Sequence, residues 1–308
     1  MIKINSSYKY PIFFLALIAL ISFCETSNSQ NNEVRAAECS ATIINTGGDW
    51  EWCSTQPSTQ ILTFYKVAFC PALPTIPTAT TAIGITNCST VFENTAGAPV
   101  SIVKGIGTTP NGTFSAPPYG KYTFAYLELS HVITYKANLV FTGTAADSKA
   151  RSSTNVAGGA GTGPNCHTNG DATNFYFGSL RGITCTGAVV NGGDGAVNSN
   201  VIVNSFSDFE GVYGAIVDDG VTIGTHIYLI QSNGKLASGS TSNNNLNVAK
   251  LIFLLPINVN VTPDTAGYNL KYNNTRGMDV LQLRIGGAGT NFNVGLSASY
   301  FDMMLEVQ

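Results

Sequence analysis

Charged residues are scarce in this sequence. They make up 11% of its 308 residues, against roughly a quarter in ordinary soluble domains. The 15 basic and 18 acidic residues give a net charge of −3, and no lysine- or arginine-rich stretch indicates a nucleic-acid partner. A weakly charged surface lacks charge repulsion and associates readily. The composition therefore argues against nucleic-acid binding. The low charge favours a role in interaction or assembly. It is equally typical of exported β-proteins, whose surfaces are rich in Thr and Asn.

Sequence motifs for catalysis and for metal binding are also missing. No Gly-x-Ser-x-Gly elbow accompanies the three histidines, His131, His167 and His226. The glycine-rich stretch 158–164 has no Gly-Lys-Ser/Thr ending, so it predicts an exposed loop rather than a phosphate loop. The cysteines form no C-x-x-C pair of the kind that zinc sites use. The sequence therefore predicts a protein that is not an enzyme and that carries no cofactor.

Helical periodicity is nearly absent after the first segment, whereas strand-like alternation recurs. Between 127 and 139 the odd positions are mostly apolar and the even positions mostly polar, which gives an extended chain one inward face. Residues 61–69 form a second β-branched and aromatic run, which ends before Pro71, Pro74 and Pro77. Many short strands separated by Gly, Pro and Asn turns predict an all-β fold. We expect an antiparallel β-sandwich or jelly-roll-like domain with long Gly- and Asn-rich loops.

The alternating run 122–141 is too long for one ordinary strand. We therefore expect it to bend, to contain a bulge, or to serve two sheets. The chain from 143 to 175 is rich in glycine and small polar residues and predicts a loop. Residues 39–308 are thus expected to form one β-sandwich domain, or two packed sub-domains with a break near 143–175.

The first two dozen residues have the pattern of an export signal. Lys3 and Lys9 are followed by the apolar run 11–21, which is shorter than the ~20 residues that a transmembrane helix needs. A positive start and a short apolar core predict a signal peptide over residues 1–24. Its removal leaves 13 basic and 18 acidic residues, a net charge of −5.

The end of this segment resembles the lipid-attachment motif of bacterial surface lipoproteins. Ile21-Ser22-Phe23-Cys24 places a cysteine after the apolar run, with Phe23 where most lipoproteins have a small residue; spirochaetal lipoproteins have a similarly loose motif. The resemblance implies a lipid on Cys24, and the polar residues 25–38 predict a flexible tether behind it. The alternative is cleavage after Ala36, with Val34 and Ala36 as the two small positions.

The sequence contains seven cysteines, and the odd number is explained if Cys24 carries lipid. The other six predict disulfides in an oxidising, extracytoplasmic compartment: the outer membrane, the cell surface or the secreted fraction. Six cysteines allow 15 connectivities. We expect neighbours along the chain to pair, each bond contributing about 2–4 kcal/mol. The neighbouring pairs are Cys39 and Cys53, Cys70 and Cys88, and Cys166 and Cys185.

Two tryptophans and three acidic residues are the remaining candidates for binding. Trp50 and Trp52 share one face of a predicted strand, where they suit either a stacking platform for sugar or packing over a disulfide. Asp194, Asp218 and Asp219 lie in predicted turns. They suit either an exposed turn or a Ca²⁺ site, since calcium takes oxygen ligands. No EF-hand pattern surrounds them.

These observations predict an exported, lipid-anchored surface protein with a non-catalytic role in binding, adhesion or envelope structure. Its expected partners are the membrane, through the N-terminal lipid, and a host or cell-surface protein or glycan. The first alternative is a secreted, self-assembling fibre subunit, because Arg35-Ala36 resembles the processing site of pilins that mature after an arginine. The second is a carbohydrate-binding or glycoside-cleaving β-sandwich, since the spacing of two carboxylates is a property of the folded chain.

Overall fold

The structure of the protein, a computed structural model, contains strands, turns and bends and no helix within the residues it describes. The all-β prediction is therefore confirmed. None of the described segments is a helix with the length and apolar character that a membrane crossing needs. The described residues are 2–4, 37–38, 50–103, 106–140, 150–152, 165–174, 182–186, 196–203, 212–213, 217–218, 221–222, 226–237, 247–274, 277–285, 291–298 and 302–308.

The described residues form 23 strands, most of them short and separated by turns. The strands are β1 (Ile2–Ile4), β2 (Ala37–Glu38), β3 (Trp50–Thr55), β4 (Thr59–Cys70), β5 (Ser89–Ile102), β6 (Thr113–Phe114), β7 (Gly120–Ser130), β8 (Val132–Lys136), β9 (Asn138–Val140), β10 (Ala150–Ser152), β11 (Asn165–Thr168), β12 (Ala172–Asn174), β13 (Ile183–Thr186), β14 (Ser199–Ile202), β15 (Val212–Tyr213), β16 (Val217–Asp218), β17 (Val221–Thr222), β18 (His226–Ile230), β19 (Lys250–Val261), β20 (Tyr268–Asn273), β21 (Met278–Ile285), β22 (Asn291–Ala298) and β23 (Asp302–Val307).

Ten of these strands form the largest sheet, which we call the large sheet. Its order is β12-β14-β8-β4-β7-β19-β18-β15, with β5 beside β4 and β6 beside β5. The long central strands are antiparallel neighbours: β7 pairs with β4 and with β19, and β19 pairs with β18. Because successive side chains point to opposite faces of a strand, these strands give the sheet an inner and an outer face.

The inner face of the large sheet packs against strands of the other sheets. Leu127, Leu129 and Phe253 are buried in one apolar cluster with Leu270 of β20 and Val280 of β21. β20 belongs to the sheet β1-β20-β23, and β21 belongs to the sheet β10-β22-β21-β3-β2. Burial of each such side chain contributes about 1.5–3 kcal/mol, so this cluster holds the sheets together in a layered, sandwich arrangement.

The alternating run 122–141 is divided among three strands. β7 ends at Ser130, β8 follows, and β9 pairs with β11 in the separate sheet β13-β11-β9. The run therefore serves two sheets, as the sequence predicts. Its odd positions from Ala125 to Leu139 are buried, except His131, which is half-buried.

The expectation of a loop throughout 143–175 is wrong. β10, β11 and β12 lie in this stretch. They are three or four residues long, too short for a side-chain alternation to reveal, and Asn165 and Thr168 of β11 are buried although polar. The division into two sub-domains near 143–175 stays a prediction.

Two disulfides join cysteines that are neighbours along the chain, as predicted. Cys70–Cys88 connects the end of β4 to the residue before β5, and Cys166–Cys185 joins β11 to β13. These bonds indicate an oxidising, extracytoplasmic environment. Of the third predicted pair, Cys39 lies outside the described residues, and Cys53 lies in β3 opposite Val280 of β21.

Candidate functional site

The outer face of the large sheet is covered at one end by residues 71–88, which we call the 71–88 loop. Pro71, Pro74 and Pro77 cannot donate to a strand ladder, so this segment leaves the sheet after Cys70. The Cys70–Cys88 bond returns it to the sheet 18 residues later.

Apolar side chains fix the 71–88 loop on the sheet. Ile83 and Ile85 pack against a buried cluster that includes Tyr126, Tyr228 and Leu254. Backbone hydrogen bonds join Thr75 and Gly84 in both directions, at 3.1 and 3.2 Å, so the loop also has internal structure. The loop is therefore held on the sheet from both ends and through its middle.

A second turn supports the 71–88 loop from the side. The amide of Ile83 donates to the carbonyl of Gly234 at 2.9 Å, and the amide of Leu236 donates to the carbonyl of Thr78 at 3.1 Å. Gly234 has a φ of +78°, a left-handed conformation that glycine adopts without strain. The hairpin that follows β18 is thus shaped to contact the loop.

The first part of the 71–88 loop presents apolar side chains to solvent. Leu73 is 42% exposed and Ile76 is 40% exposed. Nearby residues along the chain are held in place: Thr75 by its hydrogen bonds to Gly84, and Cys70 by its disulfide. Two aliphatic side chains are thus exposed on a loop that is held in place.

A network of charged and aromatic groups lies on the same outer face, next to the covered end. The Tyr126 hydroxyl donates to Glu128 Oε2 at 2.7 Å, and Lys250 Nζ pairs with Glu128 Oε1. Lys250 Nζ also lies 4.7 Å from the centre of the Tyr65 ring, a cation–π contact. The Glu128 side chain is only 12% exposed. Both of its oxygens are thus bound within the protein.

Burial raises the pKa of Tyr126 well above its ordinary value, and the charge of Glu128 and the hydrogen bond to that carboxylate raise it further. Burial likewise raises the pKa of Tyr228. Both phenols therefore stay protonated at neutral pH, and Tyr126 acts as a hydrogen-bond donor to Glu128. The network has the character of a structural ion cluster, since its carboxylate is already paired with Lys250.

The histidines lie in three different settings. His131 Nδ1 is 3.1 Å from the carbonyl oxygen of Ala249, in a half-buried position between β7 and β8. The His226 ring stacks on Tyr228 with centroids 6.2 Å apart, and His167 lies in β11 opposite Thr184. Within the described ranges, no three His, Cys, Asp or Glu side chains converge on a point that could hold a metal ion.

The remaining predicted site residues are only partly described. The backbones of Trp50 and Trp52 lie in β3, opposite Leu283 and Leu281 of β21. Asp218 ends β16 and pairs with Val221. The sugar platform and the Ca²⁺ site stay predictions. Cys24, Asp194 and Asp219 lie outside the described residues.

An N-terminal strand that sequence reasoning missed completes one sheet. β1 pairs antiparallel with β20, with Ile2 opposite Leu270, Lys3 opposite Asn269 and Ile4 opposite Tyr268. On its other side, β20 pairs with β23. The alternation in Ile-Lys-Ile is the only sequence signal for this strand, and three residues are too few to separate it from the start of an export signal.

No family model, curated protein or solved structure matches this chain. Similarity therefore supplies neither a fold family nor an activity. The proposed function therefore rests on features of the chain itself: the two disulfides, the 71–88 loop, and the network around Glu128.

Proposed function

We propose that the protein is exported, is anchored to a membrane by a lipid on Cys24, and binds a partner at the cell surface without catalysing a reaction. The observation that carries the proposal is the pair of disulfides, Cys70–Cys88 and Cys166–Cys185. Such bonds form and persist in oxidising compartments. A protein that depends on them folds after it has left the cytoplasm.

The anchor is supported by the chain around Cys24. A positively charged start and an apolar run precede this cysteine, and a polar segment follows it. If Cys39 pairs with Cys53 as the sequence predicts, a thioether from Cys24 to lipid accounts for the seventh cysteine. A polar tether of this kind holds a folded domain away from the membrane surface.

The binding role is supported by the 71–88 loop. Its disulfide and hydrogen bonds hold Leu73 and Ile76 at the surface. A rigid surface loses less conformational entropy when a partner binds than a flexible one does. The exposed apolar side chains suit a protein partner, because the buried core of a protein interface is more apolar than its polar rim.

The absence of catalysis is supported by the Glu128 network. A glycosidase needs one carboxyl group as acid and a second as nucleophile or base. Glu128 is bound by Tyr126 and Lys250, and Glu93 on the same sheet pairs with Lys66 at 2.8 Å. The contacts of Glu128 and Glu93 all lie within the large sheet, so we assign both carboxylates to the fold.

Metabolic labelling with palmitate tests the anchor. We expect the wild-type protein to incorporate label and to sediment with membranes, and Cys24→Ala to do neither. Ser27→Ala, three residues further along the tether, is the matched control and should behave as wild type. Label that persists in Cys24→Ala overturns the proposed anchor.

A further inference from the structure

The edge of β20 is covered by a strand that export removes. β20 has two neighbours among the described strands, β1 on one side and β23 on the other. β1 consists of residues 2–4, which belong to the predicted signal peptide. Once that peptide is cut off, one edge of β20 is left without a strand partner. An open edge with unpaired N–H and C=O groups is a template for another extended chain.

The vacated edge belongs to a strand that is otherwise fixed in the core. Tyr268 and Leu270 are buried in the main apolar cluster. Asn269, between them, is 1% exposed, and neither its amide nitrogen nor its amide oxygen has a hydrogen-bond partner. β20 is therefore packed on both of its faces, and loss of β1 would expose backbone N–H and C=O groups along the edge that β1 covers.

We propose that an extended segment of a second copy of this chain takes the place of β1, and that this segment is Val34-Arg35-Ala36. The inference rests on the proposed export, since processing at Cys24 removes β1 and leaves residues 34–36 on the chain. Val-Arg-Ala repeats the apolar, basic, apolar order of Ile2-Lys3-Ile4. In the register of β1, Val34 lies opposite Leu270, Arg35 opposite Asn269 and Ala36 opposite Tyr268. This is strand addition at a sheet edge.

Charge fits the same register. Arg35 stands where Lys3 stands in β1, opposite Asn269. One step further along the chain, the register places Glu33 opposite Lys271. Opposite charges facing each other across two strands are favourable. The low overall charge of the protein also opposes association only slightly.

A second copy suits the edge better than the chain's own N-terminal segment does. Ala37 and Glu38 directly follow this segment and form β2, which pairs with Cys53 and Ser54 of β3. β3 and β20 belong to different sheets. The same chain would have to pass from one sheet to the other between Ala36 and Ala37, with no connecting residue. A neighbouring copy has no such constraint.

Zero-length carbodiimide cross-linking tests the proposal on the processed protein. Unlabelled and ¹⁵N-labelled protein, purified from membranes, are mixed, equilibrated and cross-linked. We expect a Glu33–Lys271 cross-link that joins peptides of different isotope content. The Lys271–Glu306 ion pair within one copy supplies an internal cross-link that reports the reactivity of Lys271. A Glu33–Lys271 product of single isotope content, or none beside a normal Lys271–Glu306 product, overturns the proposal.

Variants of the tether separate strand addition from chance proximity. Val34→Asp with Ala36→Asp should lower the yield of mixed cross-link by about tenfold or more, the effect of a modest loss of binding free energy. Ser29→Asp with Asn31→Asp adds the same charge to the same tether and should leave the yield unchanged. Equal yields from the two double variants overturn the proposal.

A peptide competitor checks the edge itself. A synthetic peptide of residues 1–6 should compete for β20 and suppress the mixed cross-link, whereas the same peptide with Ile2→Asp and Ile4→Asp should not. Equal suppression by both peptides, or by neither, overturns the proposal.

The intact mass of the purified protein distinguishes two failures: that of the proposed export and that of the proposed self-association. A chain that begins at Cys24 and gives no mixed cross-link overturns the proposed self-association alone. A chain that retains residues 1–4 overturns the proposed function as well, because β20 then keeps its own β1. A chain that begins at Ala37 overturns the self-association and the lipid anchor together, since residues 24 and 34–36 are then missing.

Discussion

The ring of Phe69 meets the ring of Tyr268 edge to face, with centroids 4.7 Å apart and planes at 87°. Phe69 lies in β4 at the centre of the large sheet, and Tyr268 begins β20 in a different sheet. Edge-to-face pairs contribute about 0.5–1.5 kcal/mol beyond the burial of the rings. The contact therefore ties β20 to the large sheet.

Truncation of this contact should destabilise the whole fold. We expect Phe69→Ala to lower the free energy of unfolding by about 3–5 kcal/mol, because the ring is fully buried and leaves a cavity. Tyr119→Ala is the control, since Tyr119 is 71% exposed. Urea titration followed by circular dichroism measures both. Similar losses in the two variants would show that the sheets are not joined here.

Removal of the Cys70–Cys88 bond should loosen the 71–88 loop. We expect the double substitution Cys70→Ser with Cys88→Ser to lower the free energy of unfolding by about 2–4 kcal/mol. Amide hydrogen exchange should accelerate in residues 71–88, because hydrogen bonds and apolar contacts alone then hold them. β11 and β13, closed by their own disulfide, serve as the internal control. Unchanged exchange in the loop would contradict this account of its rigidity.

Alkaline pH should destabilise the protein through Tyr126. The pKa of this phenol is raised by its burial first, and then by the charge of Glu128 and the hydrogen bond. Below the ordinary tyrosine pKa of about 10, both folded and unfolded chains keep the proton, and the stability is complete. Above about pH 10 the unfolded chain loses the proton while the folded chain retains it, so stability falls as pH rises.

Substitution of Tyr126 isolates this contribution. We expect Tyr126→Phe to lose less stability than wild type between about pH 9 and about pH 11, because phenylalanine does not titrate. Tyr119→Phe, at an exposed position, should keep the wild-type slope. The measurement is urea titration at each pH. Identical slopes in all three proteins would place Tyr126 outside the buried network.

Alternation in the sequence was sufficient to predict the strands between Leu127 and Leu139. The odd residues from Leu127 to Leu139 are apolar apart from His131, and the structure buries them on the inner face, with His131 half-buried. Pairing of neighbouring cysteines also predicted Cys70–Cys88 and Cys166–Cys185, because a short loop costs little entropy to close. Both signals are local, and local signals can be read from one sequence.

The features that depend on distant contacts were not predicted. Glu128 meets Lys250 across 122 residues of chain, and no local pattern links them. β11 contains only four residues and β12 only three. Their pairing with other strands, and not their own composition, makes them strands. The partnership of β1 with β20 joins the two ends of the sequence. In each case a contact between remote segments decides the structure.

Intact and peptide-level mass spectrometry of the protein purified unreduced from its own membranes tests the central claim most directly. The account predicts a chain that begins at a lipid-modified Cys24, with Cys70 bonded to Cys88 and Cys166 bonded to Cys185. An unprocessed chain that starts at Met1, recovered from the cytosol with free thiols, would contradict it.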